Sequence, residues 1–239
     1  MAIKIYKDLE QGSQAWLDAR LGLLTASEMK HALSKKTDRK TGEVTYKVPD
    51  DDKAWAHVYE LAAQRITKYV EPSYISADML RGKTYEPVAR DLYAQNYGEV
   101  EEVGFITNDK WGFTIGYSPD SLVGDDGLIE IKCRKQKYQL ETIIDNVTPE
   151  EHVIQCQTGL LVSERKWIDF VSYNSGMMMP AIRVFPDPMI QKAIEDSLFS
   201  FEAKIKVVMD KYFDRLIGTD ARLIPTERII ELENDMDID

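Results

Sequence analysis

The stretch Gly116-Tyr117-Ser118-Pro119-Asp120 and, after nine intervening residues, Glu130-Ile131-Lys132 decide the reading of this chain. In an extended strand residues i and i+2 point to the same face, so Glu130 and Lys132 project together. An Asp125-Asp126-Gly127 turn folds the preceding arm back and carries Asp120 toward Glu130. Two carboxylates and one ammonium then converge on one side of a sheet. Leu128, Ile129 and Ile131 make the strand apolar, and charges set in such a strand need partners or a metal ion.

Oxygen ligands without His or Cys suit Mg²⁺ or Mn²⁺, which keep several waters and bind through one or two carboxylates plus substrate phosphate. Phosphodiester cleavage is the reaction such a site favours. The ion polarises a phosphoryl oxygen and lowers the pKa of a bound water, while Lys132 orients or deprotonates that water and offsets charge in the transition state. Two ions, if both bind, would sit about 3.5–4 Å apart.

Working outward, short strands are expected at 105–107, 113–117, 121–123 and 128–132, joined by turns into an antiparallel meander. Ser13 caps a helix over 14–21 that Gly22 ends, and Thr25-Ala26-Ser27-Glu28 reads as a capping box opening a second helix. Helical periodicity covers 54–70 and 79–97, the latter kinked or started late by Pro87 and closed by Gly98. Thr148-Pro149-Glu150 starts a helix through Leu161, and strands return at 167–173 and 181–185. Asp187 before Pro188 caps a long helix, on which Ile190, Ile194, Leu198, Phe201, Ile205, Val208 and Tyr212 form one stripe. The polar Lys35–Asp52 segment reads as a mobile loop. The pattern predicts an α/β (α+β) fold, a central mixed sheet flanked by helices. It predicts a single domain over 1–239 with an acidic C-terminal tail from about residue 219.

With 44% hydrophobic and 30% charged residues, 12 Tyr and 4 Trp, the 239-residue chain has the composition of an ordinary folded protein. The three histidines (His31, His57, His152) and two cysteines (Cys133, Cys156) are scattered, which removes zinc-hydrolase, metal-finger and disulfide-scaffold readings. No apolar run approaches the roughly 18 residues that span a bilayer, and the start Met1–Asp8 does not read as a secretory signal. A cytoplasmic location and no membrane partner are expected. Net charge is −11, yet residues 1–48 carry nine Lys/Arg against six Asp/Glu, and Thr226–Asp239 carries one against six. Such asymmetry suits a groove that holds a polyanion beneath an acidic exterior.

The ordered blocks Trp16-Leu17-Asp18-Ala19-Arg20-Leu21-Gly22, Thr25 to Glu28, Arg81-Gly82, Tyr85-Glu86, Ala89-Arg90, Ser118-Pro119-Asp120, Gly127 to Cys133 and Gln155-Cys156-Gln157 resemble those of the lambda exonuclease family. This family of phage recombination nucleases, which includes YqaJ-like viral recombinases, lies within the PD-(D/E)xK superfamily. The resemblance runs over most of residues 13–173. It implies a restriction-endonuclease-like core in which Asp120, Glu130 and the backbone carbonyl of Ile131 ligate the metal and Lys132 helps activate the attacking water. Glu86 resembles the upstream helix carboxylate that holds a second metal directly or through water; its plain alternative is an i,i+4 pair with Arg90. Gln155 resembles the glutamine on the helix after the active-site strand. Arg20, Ser27 and Ser118 resemble a pocket for a 5′-phosphate. Bidentate arginine suits that anion, as do free N–H groups in the first helical turn around Ser27. Trp16 either stacks on a terminal base or packs in the core.

The resemblance also implies a Mg²⁺-dependent (or Mn²⁺-dependent) processive exonuclease with two ions at its site that digests one strand of linear double-stranded DNA from 5′ to 3′. The product, a 3′ single-stranded overhang, feeds phage-type recombination by strand annealing. It implies a homotrimeric ring around the DNA, a single-strand annealing protein as partner, and a phage or prophage origin in a bacterial cytoplasm. A ring with basic residues in its channel reconciles the net charge with DNA binding. Pro87 directly after Glu86 and the Lys35–Asp52 insertion depart from the family pattern. A structure-specific or nicking endonuclease of the same superfamily is the alternative, and a non-catalytic DNA-binding module a third reading.

Overall fold

The sequence patterns resolve, in a computed structural model that describes residues 3–72, 76–218 and 222–229, into helices laid on two sheets, with a separate two-stranded hairpin. The first sheet has the order β1 (Ile3–Tyr6), β4 (Phe105–Asn108), β5 (Ile115–Tyr117), all antiparallel. The second has the order β6 (Ser121–Val123), β7 (Gly127–Cys133), β8 (Trp167–Tyr173), β9 (Ala181–Val184). There β7 and β8 run parallel while both outer pairs are antiparallel, so the expected mixed sheet is present. The expected continuous meander is not. β5 and β6 lie in different sheets, and Ser118-Pro119-Asp120 forms the passage between them.

Six α-helices accompany the strands among the described residues: α1 (Gln14–Arg20), α2 (Asp52–Thr67), α3 (Ala77–Tyr97), α4 (Gln136–Asp145), α5 (Glu150–Ser163) and α6 (Pro188–Ile217). Their starts follow side-chain capping. Ser13, Asp51 and Ser76 accept from Trp16, Ala54 and Met79 N–H respectively, and Asp187 accepts from both Met189 and Ile190. The cap at Ser76 starts α3 ahead of Met79, and the helix runs through Pro87 rather than beginning at it. Ile190, Ile194, Leu198, Phe201 and Ile205 are buried along α6, each such side chain contributing about 1.5–3 kcal/mol. Tyr212, the last member of the stripe, is exposed.

Two further expectations change. Thr25 makes no side-chain cap, and Ala26–His31 is a short 3-10 turn instead of an α-helix. Glu28 does not close a capping box; its carboxylate meets His31 Nε2 at 3.2 Å. The segment read as a mobile loop contains an antiparallel hairpin, β2 (Ser34–Thr37) with β3 (Val44–Lys47), before Asp51 caps α2. Of the acidic tail, residues 219–221 and 230–239 lie outside the described residues; within 222–229 the Arg228 guanidinium sits 3.7 Å over the Tyr69 ring.

Strand β7 is buried over Gly127–Ile131, with alternate residues in different cores. Leu128 joins the main core with Leu122, Tyr117, Cys156 and Leu160. Ile129 and Ile131 join a smaller cluster with Ala89 and Tyr93 of α3. Beside that smaller core the buried Tyr93 donates to the buried Asp169, and the exposed Arg183 grips the same carboxylate from outside through two nitrogens.

Candidate active site

Period-two alternation places Glu130 opposite the face of Ile129 and Ile131, where only 2% of it is exposed. Its Oε1 accepts from Lys132 Nζ and from Gln155 Nε2, each at 2.6 Å, and its Oε2 accepts from the Tyr117 hydroxyl at 2.8 Å. Lys132 and Gln155 were expected here; Tyr117 was not. Gln155 reaches Glu130 from α5, which approaches the first sheet closely because residue 159 is glycine. A Cβ there would lie 2.8 Å from the Tyr117 ring.

Asp120 ends the passage between the sheets, and its Oδ2 accepts from the Ile131 backbone N–H. Arg90 of α3 donates from Nε to the Asp120 backbone carbonyl at 3.2 Å and from Nη2 to Glu86 Oε1 at 2.6 Å. Glu86 therefore has the i,i+4 partner that its plain reading required, and it also stands in the field of the other site charges. Burial, then the Glu130 and Glu86 carboxylates, hold Asp120 well above the usual carboxylate range. Burial also raises Glu86, which Arg90 opposes and Glu130 reinforces. Burial pulls Lys132 down, but Glu130 and Asp120 outweigh it and keep the ammonium above the ordinary lysine range.

Such crowding of like charge favours a cation among the carboxylates. Among the described residues no group of three or more His, Cys, Asp or Glu forms a ready cage. Two carboxylates and a strand carbonyl fit an ion that completes its shell with water and substrate phosphate, which is the habit of Mg²⁺ and Mn²⁺.

The second expected cluster also assembles. Arg20, at the end of α1, donates from Nη1 to Ser118 Oγ at 3.1 Å and from Nη2 to Thr25 Oγ1 at 3.3 Å, and Thr25 Oγ1 lies 3.2 Å from Ser27 Oγ. Trp16 Nε1 donates to the same Ser118 hydroxyl oxygen at 3.0 Å, and the guanidinium of Arg20 stacks 4.1 Å over the indole. With both acceptor positions of Ser118 engaged, its own proton is left to donate. Burial draws Arg20 down to about 10, opposed by Glu28, which leaves it cationic at neutral pH. Because Ser27 stands in a short 3-10 turn, the helix-dipole reason for an anion there falls away, and the hydroxyl and guanidinium donors carry the reading. Thr25, first read only as a cap, is part of this cluster. A cleft of about 290 Å³ is lined by Ser27, Lys30 and Lys35 on one side and by Ile154 and Gln155 on the other. It thus touches both clusters.

A proline-aspartate passage, a Glu-x-Lys strand and a helix glutamine built on a mixed sheet define the PD-(D/E)xK nuclease class. Residues 15–166 match the YqaJ-like viral recombinase domain, and the chain belongs to that family. It is similar to the crystal structure of the alkaline exonuclease LHK-Exo from Laribacter hongkongensis, with 30% identity over 86% of this chain and 98% of that one, at a TM-score of 0.73. The structure of LHK-Exo in complex with dAMP gives 32% identity over 85% and 100% of the two chains, at 0.68. A phage-related exonuclease from Haemophilus somnus 129PT, 12% identical over 80% and 96%, shares the fold at a TM-score of 0.54. No curated protein matches the chain.

Proposed function

We propose that this protein is a Mg²⁺-dependent exonuclease that digests one strand of linear double-stranded DNA processively from its 5′-phosphate end, leaving a 3′ overhang for recombination by strand annealing. It is a deoxyribonuclease by family and by its 30% identity to an alkaline exonuclease. The observation that carries the finer reading is the placement of Ser118, bonded to Arg20, two residues before Asp120, which bonds to the Ile131 N–H. One short passage thus joins an anion pocket to the carboxylates.

In this reading Arg20, Ser118, Thr25 and Ser27 grip the terminal phosphate and set the register of the strand. A divalent ion held by Asp120, Glu130 and the Ile131 carbonyl would polarise the scissile phosphoryl group and lower the pKa of the attacking water. Glu86 would hold a second ion directly or through water. Gln155 keeps Glu130 oriented, and Lys132 orients the water and offsets charge on the phosphoryl oxygens. Attack at phosphorus breaks the bond to the preceding O3′, which takes up a proton. A mononucleotide leaves and the shortened strand carries a new 5′-phosphate. Each turnover therefore regenerates the group that the Arg20 pocket binds, a chemical basis for processivity. The dAMP in the related LHK-Exo crystal is a mononucleotide of that kind.

A homotrimeric ring around DNA, an annealing-protein partner and a bacterial cytoplasmic setting complete the proposal, with one nuclease unit over 1–239. No helix among the described residues is long and apolar enough to cross a membrane. The test uses three duplexes with Mg²⁺: linear with 5′-phosphate, linear with 5′-hydroxyl, and covalently closed circular. Fast release from the phosphorylated end alone, with the complementary strand and the circle intact, is expected. Cutting of the circle would establish the endonuclease alternative instead.

A further inference from the structure

Glu130 accepts from three hydrogen-bond donors, and one comes from the other sheet. Tyr117 lies on β5 and Glu130 on β7, in sheets that do not pair with each other, and the phenol spans that boundary to Oε2 at 2.8 Å. Tyr117 is 1% exposed. Its strand position is set by pairing with Ile106, and α5 presses on its ring at Gly159. The ring therefore has little freedom to turn. Lys132 and Gln155 both occupy Oε1, and they hang on flexible stems. The phenol is the one rigid donor in the set.

We infer that Tyr117 is a positioning residue, whose phenol fixes the plane of the Glu130 carboxylate and preorganises it for a divalent cation. The inference rests on the reading of Asp120 and Glu130 as metal ligands. Hydrogen-bonding partners of metal ligands tune affinity, and their loss typically costs about 10–100-fold. Tyr117 does not touch the reacting atoms in this account; it acts through Glu130.

The experiment measures Mn²⁺ binding to the full chain without DNA, by the electron paramagnetic resonance of free Mn²⁺, beside thermal unfolding in EDTA. Tyr117→Phe is expected to weaken Mn²⁺ binding about tenfold or more. Tyr93→Phe, which removes an equally buried phenol from Asp169, serves as control and is expected to lower the melting temperature while leaving Mn²⁺ affinity within about twofold. Placing 4-aminophenylalanine at 117 returns an N–H donor and is expected to restore affinity to within about threefold; it also keeps the inference testable if Tyr117→Phe does not fold. Wild-type affinity in Tyr117→Phe, or tenfold weakened affinity in the aminophenylalanine protein, overturns the inference alone. Wild-type affinity in Glu130→Gln, or no Mn²⁺ binding by the wild type, overturns the metal reading and the inference with it.

Discussion

Arg20 donates to the hydroxyl of Ser118 across 3.1 Å, and Ser118 precedes the candidate metal ligand Asp120 by two residues. On the proposed function, recognition of a strand end and ligation of the ion would share one turn of chain between two sheets. Arg20→Ala is expected to lower the rate on 5′-phosphorylated ends about 100-fold and to leave the slower rate on 5′-hydroxyl ends nearly unchanged. Arg20→Lys should not restore the preference, because a lysine lacks the planar fork that reaches Ser118 and Thr25 together. The check is the ratio of initial rates on the two ends; an unchanged ratio removes Arg20 from the pocket.

Carboxylates that repel one another in the metal-free protein cost stability, which is common at functional sites. Asn at 120 keeps an acceptor for the Ile131 N–H and removes the charge that Glu130 and Glu86 oppose. Asp120→Asn is therefore expected to raise the melting temperature in EDTA by a few degrees, since about 1 kcal/mol corresponds to roughly 2–4 °C in a protein of this size. Scanning calorimetry in EDTA decides it, and a lowered melting temperature would show that the carboxylate is net stabilising.

His152 is half-buried on α5 and stacks on Phe170 with ring centroids 5.2 Å apart. Burial, then the nearby Lys132 and Arg134 cations, lower it from 6.5 to about 3. The folded protein thus keeps it neutral where the unfolded chain would take up a proton. Stability is fully present above pH 6.5 and lost progressively as pH falls from 6.5 toward 3. His152→Gln is expected to flatten that part of the profile by up to one proton. Urea unfolding of both proteins between pH 7 and about 4.5 measures the difference, and parallel profiles would contradict it.

Gly159 stands where a methyl group would meet the Tyr117 ring at 2.8 Å. Gly159→Ala is expected to destabilise by about 1–3 kcal/mol, the usual range for overpacking, and to weaken cleavage by displacing Gln155 one turn earlier on α5. Denaturant unfolding and nucleotide release measure the two effects; an alanine variant as stable and as active as the wild type would show that α5 adjusts freely.

The candidate active-site strand was legible because its charged residues alternate with Ile129 and Ile131, and a hydrophobic strand gives Glu130 and Lys132 only one common face. Gln155, Glu86 and the Arg20 pocket were legible only through their order in a family pattern. Tyr117 was hidden because an aromatic residue on a strand reads as core, which it also is. α4 was missed because its amphipathic sense is inverted: Gln139 and Thr142 are buried, bonding to Ser172 and Arg134, while Leu140 and Ile144 are exposed. The Ser34–Lys47 hairpin escaped for a related reason, since both of its strands are polar and largely exposed. The meander broke at Ser118-Pro119-Asp120, where the chain leaves one sheet for the other and no local pattern marks the change.

Nucleotide release from a 5′-phosphorylated linear duplex in Mg²⁺, by the wild type and by Asp120→Ala and Glu130→Ala with DNA binding followed in parallel, tests the central claim most directly. Metal-dependent cleavage through Asp120 and Glu130 predicts mononucleotides from the wild type, none after chelation by EDTA, and none from either variant while both still bind DNA. Digestion at the wild-type rate by either alanine variant, or undiminished digestion in EDTA, would contradict it.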